Sequence, residues 1–167
     1  MVDWGGSMRP IGANEWLAGA NLSVRKSVFD QSAGFNDGLG RKGGEGTMLS
    51  NEEIQFIEWM QRQGGTVRYV PQAEVDHRVD ASRLTQAWVR KRTAWQAASD
   101  LVKNPELQKD AEEKLNAALS YLMQQPPRYR SHAGLARELE NADDFSRQLD
   151  AVYNMTVAML SGYKSQT

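Results

Sequence analysis

The spacing of apolar positions changes along the chain, and each change predicts an element. From Ser50 to the Gly64-Gly65 pair they recur at helical spacing, with Ile54, Ile57 and Met60 in line and Phe56 beside them. Ser50 stands where a capping residue belongs and Glu53 lies three positions on, which predicts a capping box at the helix start. Gly64 and Gly65 predict its end. Thr66-Val67-Arg68-Tyr69-Val70 then alternates as a strand does. Pro71 interrupts the alternation, and Ala73-Glu74-Val75-Asp76-His77 resumes it. Upstream, Gly19 to Val24 predicts a strand leading into a short helix from Ser27 to Ser32. Met1 to Gly19 is rich in glycine and tryptophan and predicts loop. Gly34, Gly38, Gly40, Gly43, Gly44 and Gly46 predict a glycine-dense loop from Gly34 to Met48. It is not a phosphate-binding P-loop, because the Gly-Lys-Ser/Thr ending is absent.

Downstream the pattern turns wholly helical. Leu84, Trp88, Trp95, Ala98 and Val102 predict an amphipathic helix over Ser82 to Val102, with Arg83, Arg90, Lys91 and Arg92 as its basic surface. Pro105 opens a further helix, and Leu107, Ala111, Leu115, Leu119 and Leu122 line one side of it. Gln124-Gln125-Pro126-Pro127 stops it. After a linker from Arg128 to Ser131, helical spacing returns at Leu135 and Leu139, then at Phe145, Leu149, Val152, Thr156 and Leu160. Asn141 to Asp144 predicts a break between two helices. No chemistry is legible between residues 103 and 167.

Composition narrows this picture in a few respects. A chain of 167 residues favours one domain and can bury a real core. A net charge of -1 gives no field that would recruit nucleic acid. There is no cysteine, so disulfides and thiolate metal sites are excluded. No apolar run approaches the roughly 20 residues of a membrane span. The expected location is cytoplasmic, with a peripheral membrane association allowed.

The candidate chemistry lies at element ends. Glu52 and Glu53 open the predicted helix, where acidic residues are favoured for purely structural reasons too. His77 closes the second strand piece, flanked by Asp76 and Asp80; a neutral imidazole there can hold a divalent metal or merely bond to backbone. Trp4 and Trp16 either stack on sugar rings or fill the edge of the core. Arg25 and Lys26 either face an anionic group or form a solvated face. His132 falls in the linker and is expected to be exposed.

These segments resemble the second half of family-2 glycosyltransferases of the GT-A fold. Asn51-Glu52-Glu53 stands at that family's Gly-Glu-Asp-type acidic pair, and Tyr69-Val70-Pro71-Gln72-Ala73-Glu74-Val75-Asp76-His77 matches its Tyr-x-Pro-x-Ala-x-Val-x-His ending. Gly19 to Phe29, followed by Ala33-Gly34-Phe35-Asn36, is similar to its Gly-x-Asn-x-x-x-Arg-Arg-x-x-Phe and Gly-Gly-Phe-Asp segments. The resemblance implies an α/β class: a GT-A C-terminal half over residues 1–102, followed by a helical extension over 103–167. It implies Glu53 as the base for the acceptor hydroxyl, with glutamate standing where the family commonly has aspartate, and Glu52 as its acidic neighbour. Trp4, Trp16, Asn21 and Arg25 are the implied acceptor-side residues, and His77 is an implied ligand for Mn or Mg.

Processive relatives carry a Gln-x-x-Arg-Trp motif. Here Gln86-Ala87-Trp88-Val89-Arg90 and Arg92-Thr93-Ala94-Trp95 stand instead, which argues against polymer synthesis. The implied partners are a nucleotide-diphosphate sugar, a sugar or lipid-linked acceptor, and a donor-binding half bearing an Asp-x-Asp motif that this sequence does not contain. The expectation is therefore an incomplete enzyme, inactive alone. The alternative is a non-catalytic interaction or glycan-binding module derived from such an enzyme.

Overall fold

The computed structural model describes residues 3–12, 15–32, 34–36, 38–39 and 48–163. They are mostly helical, with one small two-stranded sheet among the described residues. Packing divides them into two compact units. One holds the described residues up to Leu39 and from Ser50 to Arg78; the other holds Met48, Leu49 and the residues from Val79 on. The expected boundary at 102 followed a resemblance, whereas this division follows contacts. The predicted glycine-dense loop lies largely outside the described residues.

The first unit contains β1 (Arg9–Pro10), α1 (Lys26–Phe29), α2 (Glu52–Arg62) and β2 (Arg68–Tyr69). β1 and β2 pair antiparallel, Arg9 opposite Tyr69 and Pro10 opposite Arg68, and Ile11 extends the ladder to Val67. Ile11, Ile57 and Val67 are buried together, with Leu17, Met60 and Tyr69 against them. The helical stripe of α2 thus meets the alternating face of β2, as the two periods predict. Gly64 takes a left-handed φ of 77°, and a Cβ on Gly65 would lie 2.8 Å from the Met60 carbonyl oxygen. Both glycines are therefore required for α2 to end where it does.

Three local expectations change. The capping box does not form: α2 begins at Glu52, and Asn51 before it adopts φ 83° and makes no side-chain cap bond. A cap residue normally has extended backbone, and Ser50 sits one position too early, donating to the Asn51 side-chain oxygen at 3.5 Å. The predicted strand at Gly19–Val24 begins as a 3-10 turn over Gly19–Asn21. Ala73–His77 is not in the sheet; after a turn in which the Ala73 N–H reaches Val70 O, the chain runs on without a ladder partner among the described residues.

The second unit is a helical assembly of α3 (Gln86–Lys103), α4 (Ala111–Met123), α5 (His132–Ala136) and α6 (Ala142–Tyr163). α6 packs along both α3 and α4. Ala97, Leu101 and Val157 form its buried centre, with Leu107 and Tyr153 against them. Thr85 caps α3 by accepting from Trp88 N–H, and Asn141 caps α6 by accepting from Asp143 and Asp144 N–H.

The buried face of α3 is rotated from the predicted stripe: Leu84 and Val102 are exposed, whereas Arg90 is buried. On α4, Leu115 and Leu119 are likewise partly exposed, and Ala118 and Leu122 are the buried residues. Arg90, expected on the basic surface, is held inside by Glu138 at 2.7 Å, by the Arg137 carbonyl at 3.1 Å and by the Gln148 side-chain oxygen at 3.3 Å. A paired and hydrogen-bonded guanidinium tolerates burial that a bare one would not. His132 is exposed, as expected.

Candidate functional site

The candidate site is built where α2 begins. Glu52 and Glu53 occupy its first turn, the end at which helix dipoles favour carboxylates. Both side chains are half-buried, and the Oε2 atom of each is shielded from solvent without a hydrogen-bond partner. Buried polar atoms usually find partners within the fold, so an orphaned carboxylate oxygen on each of two successive residues is unusual. Asn51 supplies the turn into this pair. Its left-handed backbone is one that glycine adopts freely and asparagine tolerates, and the residue is buried. Sequence reasoning counted Asn51 with the acidic pair and missed this role.

The 3-10 turn Gly19–Asn21 lies against both neighbouring segments. A Cβ placed on Gly19 would stand 3.5 Å from the Cβ of Glu53 and 3.7 Å from its Cδ. These are ordinary contact distances, so the turn runs close beside Glu53. Two residues on, the Asn21 side-chain amide donates to the Ala73 carbonyl at 2.5 Å. One short turn therefore touches the first turn of α2 and the segment that leads to His77.

The other predicted site residues lie apart from this contact. Trp4 is half-buried, and its indole N–H donates to the Trp16 carbonyl at 2.8 Å, while Trp16 as a residue is 40% exposed. Trp4 is thus an anchor, and Trp16 presents a ring to solvent. Their loop is held by Arg9, which grips both oxygens of Glu15 at 2.6 Å and donates to the Trp4 carbonyl at 3.0 Å. With the Gly12 N–H bonded to Glu15 as well, the Arg9 guanidinium leads in holding the Glu15 carboxyl down at about 2. Nothing in the spacing of Arg9 and Glu15 marks the pair as a clasp across six positions of chain.

Arg25 is exposed at the start of α1, and Lys26 pairs with Asp30. His77 and Asp76 are exposed. Asp80 caps the 3-10 turn Ala81–Leu84, accepting from Ser82 N–H at 2.8 Å. Hydrogen bonds from Ser82 hold its carboxyl below the usual carboxylate range. Among the described residues, neither Arg25 nor His77 forms a hydrogen bond or ion pair with Glu52 or Glu53. No group of three or more His, Asp or Glu side chains among the described residues is arranged to hold a metal ion.

Sequence comparison adds one relative. The chain is 31% identical over 105 residues to the glucosyl-dolichyl phosphate glucuronosyltransferase of Haloferax volcanii, a match covering 63% of this chain and 33% of that protein. The chain thus spans about a third of the length of the curated relative it matches. No family model and no solved structure matches it. Over that segment the chain is related to a glycosyltransferase.

Proposed function

We propose that this chain is the acceptor-side part of an inverting, family-2 glycosyltransferase of the GT-A fold. The observation that carries the reading is the turn Gly19–Asn21, which lies on Glu53 and holds the segment leading to His77. The turn is thereby close to one other segment of the resemblance and bonded to the next, and the Oε2 atoms of Glu52 and Glu53 are unpartnered.

In this reading Glu53 is the base. It takes the proton from the acceptor hydroxyl as that oxygen bonds to the anomeric carbon of the donor. The carbon's bond to the nucleoside diphosphate breaks on the opposite face, and the diphosphate leaves with the electron pair, so the anomeric configuration inverts. A positioned carboxylate contributes about 10²–10⁴-fold in such a step. Glu52 lies beside the base, and the Trp16 ring offers a face for a sugar. Asn21 and Trp4 act by positioning, since both are bonded to backbone within the fold. Arg25 stands exposed for an anionic group on the acceptor side.

The described residues do not by themselves fit a complete metal site. His77 would be one ligand of a set completed outside them, and no step above runs through a metal. The name of the relative describes glucuronosyl transfer involving a sugar on a lipid phosphate. An acceptor of that kind is our proposal here, with the nucleotide-sugar bound by a separate donor-binding half. No helix among the described residues is long and apolar enough to cross a membrane.

The test is transfer by the enzyme in which this chain is joined to its donor-binding half. Labelled sugar should pass from a nucleotide-diphosphate donor to a sugar or lipid-linked acceptor. The isolated chain, titrated calorimetrically with the same donor and Mn²⁺, should show no tight binding. Hydrolysis or transfer absent with every nucleotide-sugar tried in the joined enzyme would contradict the proposal.

A further inference from the structure

The second unit carries a groove of about 350 Å³ between α3, α5 and α6, lined by Arg90, Lys91, Leu135, Val152, Met155 and Met159 among others. Most of its polar groups are already committed. Arg90 is bound to Glu138, Gln148 and the Arg137 carbonyl. The hydroxyl of Thr156, also in the lining, donates to the Val152 carbonyl at 2.8 Å. Lys91 is different: it is exposed, and no hydrogen bond or ion pair among the described residues engages its ammonium. The rest of the lining is aliphatic or thioether, and Met159 is 57% exposed at its edge.

We propose that this groove binds a single-chain anionic amphiphile, its hydrocarbon on Leu135, Val152, Met155 and Met159 and its phosphate or carboxylate head on Lys91. The volume falls at the lower end of the roughly 300–1,000 Å³ of small-molecule sites. The two methionines are unbranched and adapt to a flexible chain. Among the described residues of the lining, Lys91 is the cation left unpaired, and such a cation beside an apolar surface matches a ligand with one anionic end. The inference does not depend on the glycosyl-transfer reading.

The test uses the whole chain and dodecyl phosphate, below its micelle concentration, followed by calorimetry. Inorganic phosphate and dodecyl maltoside separate the head from the tail. One dodecyl phosphate should bind per chain, at least 10-fold tighter than dodecyl maltoside, and inorganic phosphate should give no signal at the same concentrations. Lys91→Glu should weaken dodecyl phosphate at least 10-fold and leave dodecyl maltoside unchanged. Val152→Glu, with folding checked by circular dichroism, should weaken both. Equal binding of the charged and neutral amphiphiles, or an unaffected Lys91→Glu variant, overturns the proposal. So does sedimentation showing a dimer that Met159→Glu dissociates, since the groove would then belong to a second copy.

Discussion

Asn21 reaches Ala73 across 52 positions of sequence, its side-chain amide donating to that carbonyl at 2.5 Å. Ala73–His77 has no sheet partner among the described residues, so this bond is a principal tie between that segment and the rest of its unit. Asn21→Ala should lower stability by about 1 kcal/mol, the usual net worth of one hydrogen bond. Asn21→Asp should be worse, because it sets a carboxylate against a carbonyl oxygen. Urea unfolding measures both, and amide exchange at residues 73–77 should accelerate in each variant.

Asn51 holds the entry to α2 in a left-handed turn. Replacing it by glycine or alanine removes the same amide group, so the difference between the two variants isolates the backbone. Alanine should be less stable than glycine by about 1–2 kcal/mol, the cost of left-handed backbone for a residue with a Cβ. Equal stabilities in urea would show that the turn relaxes.

Glu15 supplies a pH-dependent clasp. Its carboxyl is held at about 2, below the ordinary 4.5, first by the Arg9 side chain. A depressed folded value means that the stabilisation is fully present above pH 4.5 and is lost as pH falls toward 2. Trp4 and Trp16 belong to the loop that Arg9 and Glu15 hold, so their fluorescence should change with a midpoint near pH 2. Glu15→Gln should remove that step. A midpoint near 4.5 in the unmodified chain would mean that the clasp does not hold in solution.

Gln148 is fully buried; its amide donates to the Gly134 carbonyl at 2.8 Å and the Arg137 carbonyl at 3.1 Å. Gln148→Leu fills similar space but leaves two carbonyls and the Arg90 guanidinium short of a partner. The expected loss is about 2–3 kcal/mol, within the range for unsatisfied buried polar groups. Thermal unfolding followed by circular dichroism measures it.

Much of the fold was legible in periodicity. α2, its glycine stop and the alternation at β2 follow directly from the spacing of Ile54, Ile57, Met60 and Val67. The helices after residue 85 follow in the same way. What the pattern could not carry was pairing. Ala73–His77 alternates like a strand, yet a strand exists only where a neighbour supplies the ladder, and here a side chain from Asn21 takes that place. The burial of Arg90 was equally hidden, because its partners Glu138 and Gln148 lie 48 and 58 positions away. At the candidate site, the residue types at Glu52 and Glu53 were readable. The left-handed Asn51 and the contact of Gly19 with Glu53 depend on three-dimensional closure that no local pattern records.

The most direct measurement is the turnover of Glu53→Gln in the enzyme joined to its donor-binding half. The substitution keeps the shape and removes the proton acceptor. Our account predicts that kcat falls by about 10²–10⁴-fold while donor affinity stays within a few-fold, and that Glu52→Gln loses less. Full turnover by the Glu53→Gln enzyme would contradict it.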